Sequence, residues 1–276
     1  MKIVERNWKR HAETKGFAMV LALLLGWTAG IGVAHAEKMC RDGQLFYLLD
    51  EKYKTAEVTS PTYYEVRSDE DFTRRKYEIQ NEYSKMTEAH IPAQVKYEGA
   101  TYNVTGIGLK AFENCYSLTT VTIPEGVEYI YDYAFENCRS LRTIRIPGSV
   151  RSIGQASFYS CDALTSVVIP EGVVTIGTNA FCSCDNLVSI TLPSTVSQID
   201  KGAFGHCYHL TSVTCFALRI PCLGDCFEGF VDEHSAFIKD EYTIQDTLYV
   251  PQKKVKRYMS VPEWRTFKVI FPITDK

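Results

Sequence analysis

The chain has 276 residues, of which 45% are hydrophobic and 23% charged, with a formal net charge of −3. That composition excludes a disordered or collagen-like chain, and the near-neutral balance gives no electrostatic footprint for nucleic acid. Ten cysteines are more than a cytosolic enzyme usually carries and too few for a small disulfide-built scaffold, so their placement needs a reason.

Residues 1–36 have the three parts of an export signal. A basic leader (Lys2, Arg6, Lys9, Arg10, Lys15) precedes an apolar run from Phe17 to Val33, which ends in Ala34-His35-Ala36. The run is interrupted by glycines and short for a membrane span, so cleavage is expected between Ala36 and Glu37, and membrane contact only through the uncleaved precursor. The chain after Ala36 has 25 basic and 31 acidic residues, a net charge of −6. An exported protein is expected, extracellular or at the cell surface, with the periplasm as the other destination.

Residues 61–88 are charged and rich in tyrosine, with seven acidic and five basic residues between Tyr63 and Glu88. An extended hairpin, a short helix from about Asp69 or a mobile segment all fit this composition, and a solvated excursion is the preferred reading.

From Ile107 to Pro221 the chain repeats every 23 residues, in five units that begin at Ile107, Ile130, Ile153, Ile176 and Ile199. Phenylalanine recurs at Phe112, Phe135, Phe158, Phe181 and Phe204, and again at Phe227. Leucine recurs at Leu118, Leu141, Leu164, Leu187 and Leu210, and proline at Pro124, Pro147, Pro170 and Pro193. A fixed period of this length marks a solenoid whose units bury their apolar faces only against one another. Within a unit, Leu118-x-x-Val121-x-Ile123 is the apolar ladder of a leucine-rich repeat around a short strand, and stacked units pair these strands in parallel. Pro124 and its equivalents fall just past the strand, where a missing N–H interrupts nothing. Val127 and Ile130 return to the core as a second short extended segment. A tight turn at Ala134-Phe135 is expected, with a small-residue column (Ala111, Ala134, Ser157, Ala180, Ala203) admitting the next coil.

The motif I-G-x-x-A-F-x-x-C-x-x-L-x-x-[VI]-x-[IL]-P-x-x-V resembles the BspA-like leucine-rich repeats of bacterial surface and secreted proteins. The resemblance extends to residues 46–60 and 91–108, similar to that family's hairpin-like N-terminal segment. It also covers 215–227 and 248–270, similar to its closing segment, with Trp264 and Phe267 as cap anchors. It implies a leucine-rich-repeat solenoid, mostly β, of stacked 23-residue coils with a parallel strand ladder, a β-hairpin-like N-terminal cap and a C-terminal cap. The layout is a signal peptide (1–36), an N-terminal cap (37–106), five repeats (107–221) and a partial repeat with the closing cap (222–276). The resemblance implies adhesion or protein binding rather than catalysis. Tyr131 stands where Gly108, Gly154 and Gly177 occur, so a different local backbone is expected in the second coil.

Five cysteines (Cys115, Cys138, Cys161, Cys184, Cys207) occupy one repeat column, which is read as packing, because a free cysteine behaves as a small buried hydrophobe. Outside the column, Cys222 and Cys226 are the candidates for a local disulfide, which export permits. Cys182, Cys184, His206, Cys207 and His209 are the one group from which a zinc site or Cys–His pair could be drawn. Two of them are column residues expected to face inward, so neither metal nor catalysis is read there. No phosphate loop, G-x-S-x-G or H-E-x-x-H is present, and no cofactor and no enzyme activity are expected.

Binding is the function the pattern favours. Residues alternating with the apolar ladder point outward. One such column is Thr120, Thr143, Ser166, Ser189 and Ser212, and a second is Thr122, Arg145, Val168, Thr191 and Thr214. The face is small, hydroxylated and nearly uncharged apart from Arg142 and Arg145. Thr also suits any solvated strand, and a spacer without a specific ligand is the plainer alternative. The sharper reading is a surface that docks an extracellular or surface protein, or a glycan, with the two arginines as anchors. Tyr129, Tyr131 and Tyr133, with Tyr116, form a second candidate contact surface, unless they pack on the next coil. Lys253, Lys254, Lys256 and Arg257 suit a solvated cap helix, and nucleic acid is not expected of an acidic exported chain. The repeat by itself sets no oligomeric state.

Overall fold

The computed structural model describes residues 36–60, 81–223, 247–261, 264, 267 and 269–273. The leader before Ala36 and the segment 61–80 lie outside them, so the expected signal cleavage is not addressed. Two antiparallel pairings open the chain: β1 (Ala36–Asp42) with β2 (Leu45–Asp50), and β2 with β3 (Thr55–Thr59). After β4 (Glu88–His90), a hairpin of β5 (Gln94–Tyr97) and β6 (Ala100–Ile107) follows, and β6 also pairs in parallel with β3.

Each coil then contributes two short strands. One follows the leucine: β7 (Thr120–Thr122), β9 (Thr143–Arg145), β11 (Ser166–Val168), β13 (Ser189–Leu192) and β15 (Ser212–Cys215). The other follows the proline turn: β8 (Tyr129–Ile130), β10 (Ser152–Ile153), β12 (Thr175–Ile176), β14 (Gln198–Ile199) and β16 (Cys222–Leu223). The second set extends the cap sheet in the order β1-β2-β3-β6-β8-β10-β12-β14-β16 without a break. The first set is divided. β4-β7-β9 form one sheet, and β11-β13-β15 continue through β17 (Thr247–Pro251) to β18 (Val269–Ile273) in another. Beyond β17 come a 3-10 turn at Gln252–Lys254 and the short helix α1 (Val255–Ser260), the solvated cap helix expected of this basic stretch. Among the described residues no helix is long and apolar enough to cross a membrane.

The third wall of each coil is the turn that carries the phenylalanine. The turn is not helical. Left-handed residues flank it at Lys110 and Asn114, Tyr133 and Asn137, Ala156 and Ser160, Asn179 and Ser183, and Gly202 and His206. This arrangement directs alternate N–H groups at the next coil: Phe112 donates to Ala134 O, Phe135 to Ser157 O, Phe158 to Ala180 O and Phe181 to Ala203 O, each at 2.7 Å. Apart from the break between β9 and β11, all three walls are therefore hydrogen-bonded from coil to coil, which leaves the interior free for apolar columns.

The columns pack as the repeat requires. Phe112, Phe135, Phe158, Phe181 and Phe204 are fully buried and stack nearly parallel, with ring centroids 4.9–5.7 Å apart and interplanar angles of 1–12°. That spacing is close to, and slightly above, the ~4.8 Å between strands, so one ring per coil fills the gap that each coil opens. The leucine column and the column Ile107–Ile130–Ile153–Ile176–Ile199 are equally buried. At Gly154 and Gly177 the preceding coil lies so close that a Cβ would fall 2.7–2.8 Å from its backbone.

Two expectations are corrected. The backbone at Tyr131 is regular: its N–H donates to Ile107 O, as Gly154 does to Ile130 O and Gly177 to Ile153 O. Its ring is accommodated instead against Gly106, where a Cβ would stand 3.0 Å from Tyr131 Cε2. The second correction concerns the end of the charged segment, where Asn81 and Tyr83 are buried in the core while Glu82, Lys85, Thr87 and Glu88 remain exposed as a solvated excursion would have them. Tyr83, 2% exposed, packs its ring 5.3 Å from Phe112 and 6.5 Å from Phe46, so the aromatic column continues into the cap. Asn81 Nδ2 donates to Ala111 O and Glu113 O, both at 3.1 Å. In later coils the equivalent carbonyls, Ala134 O and Glu136 O, accept from the preceding coil. One amide side chain thus replaces a missing coil. At the other end Tyr258, Trp264 and Phe267 form an aromatic group over the last strands, in agreement with the anchoring role expected of the last two.

One core position breaks the pattern. Ser157 occupies the alanine column, fully buried, with no hydrogen-bond partner for its hydroxyl. Ser157→Ala should raise stability by about 1 kcal/mol, and a denaturant midpoint that falls would contradict the packing described. Asn81→Ala should cost about 1–3 kcal/mol by orphaning two carbonyls, measured in the same way.

Candidate functional site

The strand face is built as the alternation requires. In β7, β9 and β11 the central residue is buried and its two neighbours are exposed. Thr120 pairs with Thr143, and Thr122 with Arg145. Beyond the break between β9 and β11, Val168 pairs with Thr191, Thr191 with Thr214, Thr214 with Tyr249 and Tyr249 with Phe271. Before Thr122 the same row begins at His90, whose Nδ1 lies 3.3 Å from Thr122 Oγ1. Arg142 and Arg145 are exposed, and neither has an ion-pair partner among the described residues. Val168 is 63% exposed, whereas Thr191 is half-buried. The row thus runs from polar and basic in the early coils to aromatic at its end. Tyr249 and Phe271 stack there, 6.1 Å apart and both exposed. The repeat could not reveal this pair, because both residues follow the last full unit.

The tyrosines do not form one exposed patch. Tyr129 and Tyr131 lie 5.9 Å apart on the unbroken sheet, and both are half-buried. Tyr131 donates a hydrogen bond to Glu57 of the cap strand β3. Tyr133 sits at the turn beneath the Lys110 ammonium, 5.2 Å from its ring centroid. Tyr116 is exposed, its hydroxyl 3.1 Å from Asn114 Oδ1 and its ring near the Arg139 guanidinium. Three of the four therefore pack on neighbouring coils, as their position one coil from the cap allows.

The cysteine column is reduced and buried. Each thiol from the second coil onward donates to the phenylalanine carbonyl of the coil before: Cys138 to Phe112 O, Cys161 to Phe135 O, Cys184 to Phe158 O and Cys207 to Phe181 O, at 3.1–3.3 Å. The sulfur thus adds a weak directional bond to its packing role. Burial pushes the Cys138, Cys161 and Cys184 thiols far up, which makes them poor nucleophiles and poor metal ligands. His206 and His209 lie apart from the buried sulfurs. His206 Nδ1 is 3.1 Å from Tyr208 Oη, and His209 Nδ1 lies against Asp185 O. Among the described residues no group of three or more His, Cys, Asp or Glu is placed to hold a metal. The Cys222–Cys226 pairing lies outside what is described, since Cys226 and the Cys222 side chain are not included.

One titratable group stands out. Glu57 is enclosed by Tyr131 and by the glycine-lined edge at Gly106 and Gly108, and burial raises its pKa from 4.5 to about 7, the Tyr131 bond opposing. The folded state therefore keeps this proton to about pH 7, while the unfolded chain releases it near 4.5. Stability should fall as pH rises through that window, by on the order of 3 kcal/mol. Glu57→Gln should flatten the dependence and raise the melting temperature above wild type at about pH 8. A wild-type melting temperature that instead rises from about pH 5 to 8, with no difference in the variant, would contradict the assignment.

Residues 105–220 match the BspA type Leucine rich repeat region in six copies. Among solved structures, the chain is similar to a leucine-rich repeat protein from Bacteroides ovatus, with 22% identity and a TM-score of 0.46 over 84% of this chain and 67% of that one. It is similar to the Leucine Rich Repeat protein of T. pallidum, with 22% identity and a TM-score of 0.47 over 74% and 97%. A leucine rich cell surface protein from Faecalibacterium prausnitzii is 26% identical, with a TM-score of 0.40 over 67% of this chain and 56% of that one. No curated protein matches the chain. With coils stacked in register, residues 105–220 form a leucine-rich-repeat solenoid whose sequence matches the BspA type.

Proposed function

We propose that this protein is exported and acts by recognition, without catalysis, at or outside the cell surface. The leader at 1–36 supports export, and the strand face supplies the contact surface. The observation that carries the reading is the exposed pair Arg142 and Arg145, without ion-pair partners among the described residues, in a strand wall whose first two coils otherwise expose small hydroxylated side chains. Solvated cations with no internal use, on a rigid and nearly uncharged surface, suit a partner that brings its own acceptors. The partner class favoured is an extracellular or surface protein. The exposed Tyr249–Phe271 stack at the end of the same row favours a glycan as the second reading, because flat aromatic faces suit sugar rings.

The test is a screen of the chain from Glu37 onward against purified extracellular-matrix proteins and a glycan array, followed by the Arg142→Ala/Arg145→Ala double variant. A saturable ligand whose affinity falls by about tenfold or more, roughly 1.4 kcal/mol, supports the face as the site. Unchanged affinity in the double variant would place recognition elsewhere, and the absence of any saturable ligand would leave a spacer as the better account.

A further inference from the structure

The C-terminal end of the chain carries a charge opposite to the rest. Residues 248–276 hold seven basic and two acidic residues, against 18 and 29 in residues 37–247. Much of that excess sits on one element. The 3-10 turn Gln252–Lys254 runs directly into α1, and the buried Tyr258 fixes which side faces inward. Lys253, Lys256 and Arg257 are left exposed at i, i+3 and i+4, a spacing that puts them on one helical face with neighbouring Cβ atoms on the order of 5–6 Å apart. None of the three, nor Lys254, has an ion-pair partner among the described residues. Like charges at this spacing repel, and Lys253 and Lys254 stand at the helix N-terminus, where a cation opposes the dipole. The fold gains nothing from this arrangement, so its use lies outside the chain.

The same end presents a flat aromatic platform. The stacked rings of Tyr249 and Phe271 are exposed on β17 and on β18, the outer strand of its sheet among the described residues. The turn and α1 both pack against β18, and Lys253 follows Tyr249 by four residues, so their Cα atoms are at most about 14 Å apart. Platform and cationic face therefore belong to one surface. Three partners compete for it. Pro272 blunts the outer edge of β18 against an added protein strand. Of the exposed residues of α1 only Met259 is apolar, too little to lie in a lipid surface. What remains is a polymer that brings both negative charge and flat rings.

We propose that the C-terminal cap binds an acidic polysaccharide, one that carries sulfate or carboxylate groups along its chain. The anionic groups pair with Lys253, Lys256 and Arg257, and a sugar ring lies on the Tyr249–Phe271 stack. This deepens the glycan reading given above and rests on it, while the Arg142/Arg145 face and its protein partner stand apart from it.

Calorimetric titration of the full chain with dextran sulfate, dextran, poly-L-glutamate and an oligothymidylate tests the proposal. Dextran sulfate should bind about tenfold or more tightly than uncharged dextran, and less tightly as salt is raised. The Lys253→Ala/Lys256→Ala/Arg257→Ala variant should weaken it about tenfold or more at an unchanged melting temperature, and flatten the salt dependence. Tyr249→Ala/Phe271→Ala should weaken dextran sulfate about fivefold and leave poly-L-glutamate unaffected, because only the sugar uses the rings. Phe271→Ser alone should act in the same direction, which keeps the test open if the double variant does not fold. Dextran sulfate binding that survives the loss of the three cations, or that neither aromatic variant weakens, would overturn the proposal. So would tighter binding of poly-L-glutamate or of the oligothymidylate. Protein binding through Arg142 and Arg145 is read with a different ligand and different variants, so either reading can fail while the other stands.

Discussion

The ring of one phenylalanine lying flat on the ring 23 residues earlier is the contact on which the rest of this molecule depends. It sets the rise from coil to coil, and that rise must equal the strand spacing if the ladders are to close. Everything else in the unit serves the same translation. The alanine column lets the turns approach, the left-handed pairs aim the turn amides forward, and the cysteine thiols reach back to the phenylalanine carbonyls. A coil alone has no such partners, so stability comes from neighbours and accumulates along the stack.

A translation needs ends, and the ends are where the chemistry departs from the repeat. Tyr83 gives the aromatic column a polar terminus: its hydroxyl donates to Thr59 O and accepts from Phe46 N–H, both at 2.7 Å. Asn81 supplies the amide hydrogens that a preceding coil would have given. The cap also holds Glu57, whose carboxyl pKa is raised by burial, and the buried, unpartnered hydroxyl of Tyr47. The middle of the solenoid is chemically quiet by contrast. Apart from the Ser157 hydroxyl its interior is apolar or thiol, and its exposed strand rows are mostly small and uncharged.

This division explains what the sequence made legible. Phe158, Cys161, Leu164 and Val167 could be placed in the core because each recurs at one period, and a column of identical residues has one structural meaning. The outward columns through Thr122 and Arg145 followed from alternation along a strand. Tyr83, Asn81 and β4 could not be found in this way. A cap residue imitates a repeat position with a different side chain, and Tyr83 lies 29 residues before Phe112 rather than 23. Composition then misled, because the charged residues around Tyr83 pointed to solvent. The regular backbone at Tyr131 was hidden for a related reason: the space its ring fills belongs to Gly106, in another strand and outside the repeat motif. The break between β9 and β11 has no counterpart in the sequence pattern, and nothing in the packing explains it.

Deleting one full period tests the central claim most directly. Removal of residues 153–175 joins Ile130–Ser152 to the unit beginning at Ile176 and leaves every column in phase. The account predicts a folded protein with the same circular dichroism per residue and a single cooperative melt at a modestly lower temperature. Removal of 153–164, about half a period, should abolish that melt, because the phenylalanine and leucine columns fall out of register. If the full-period deletion fails to fold, or both deletions melt alike, then coil-on-coil translation is not what holds this chain together.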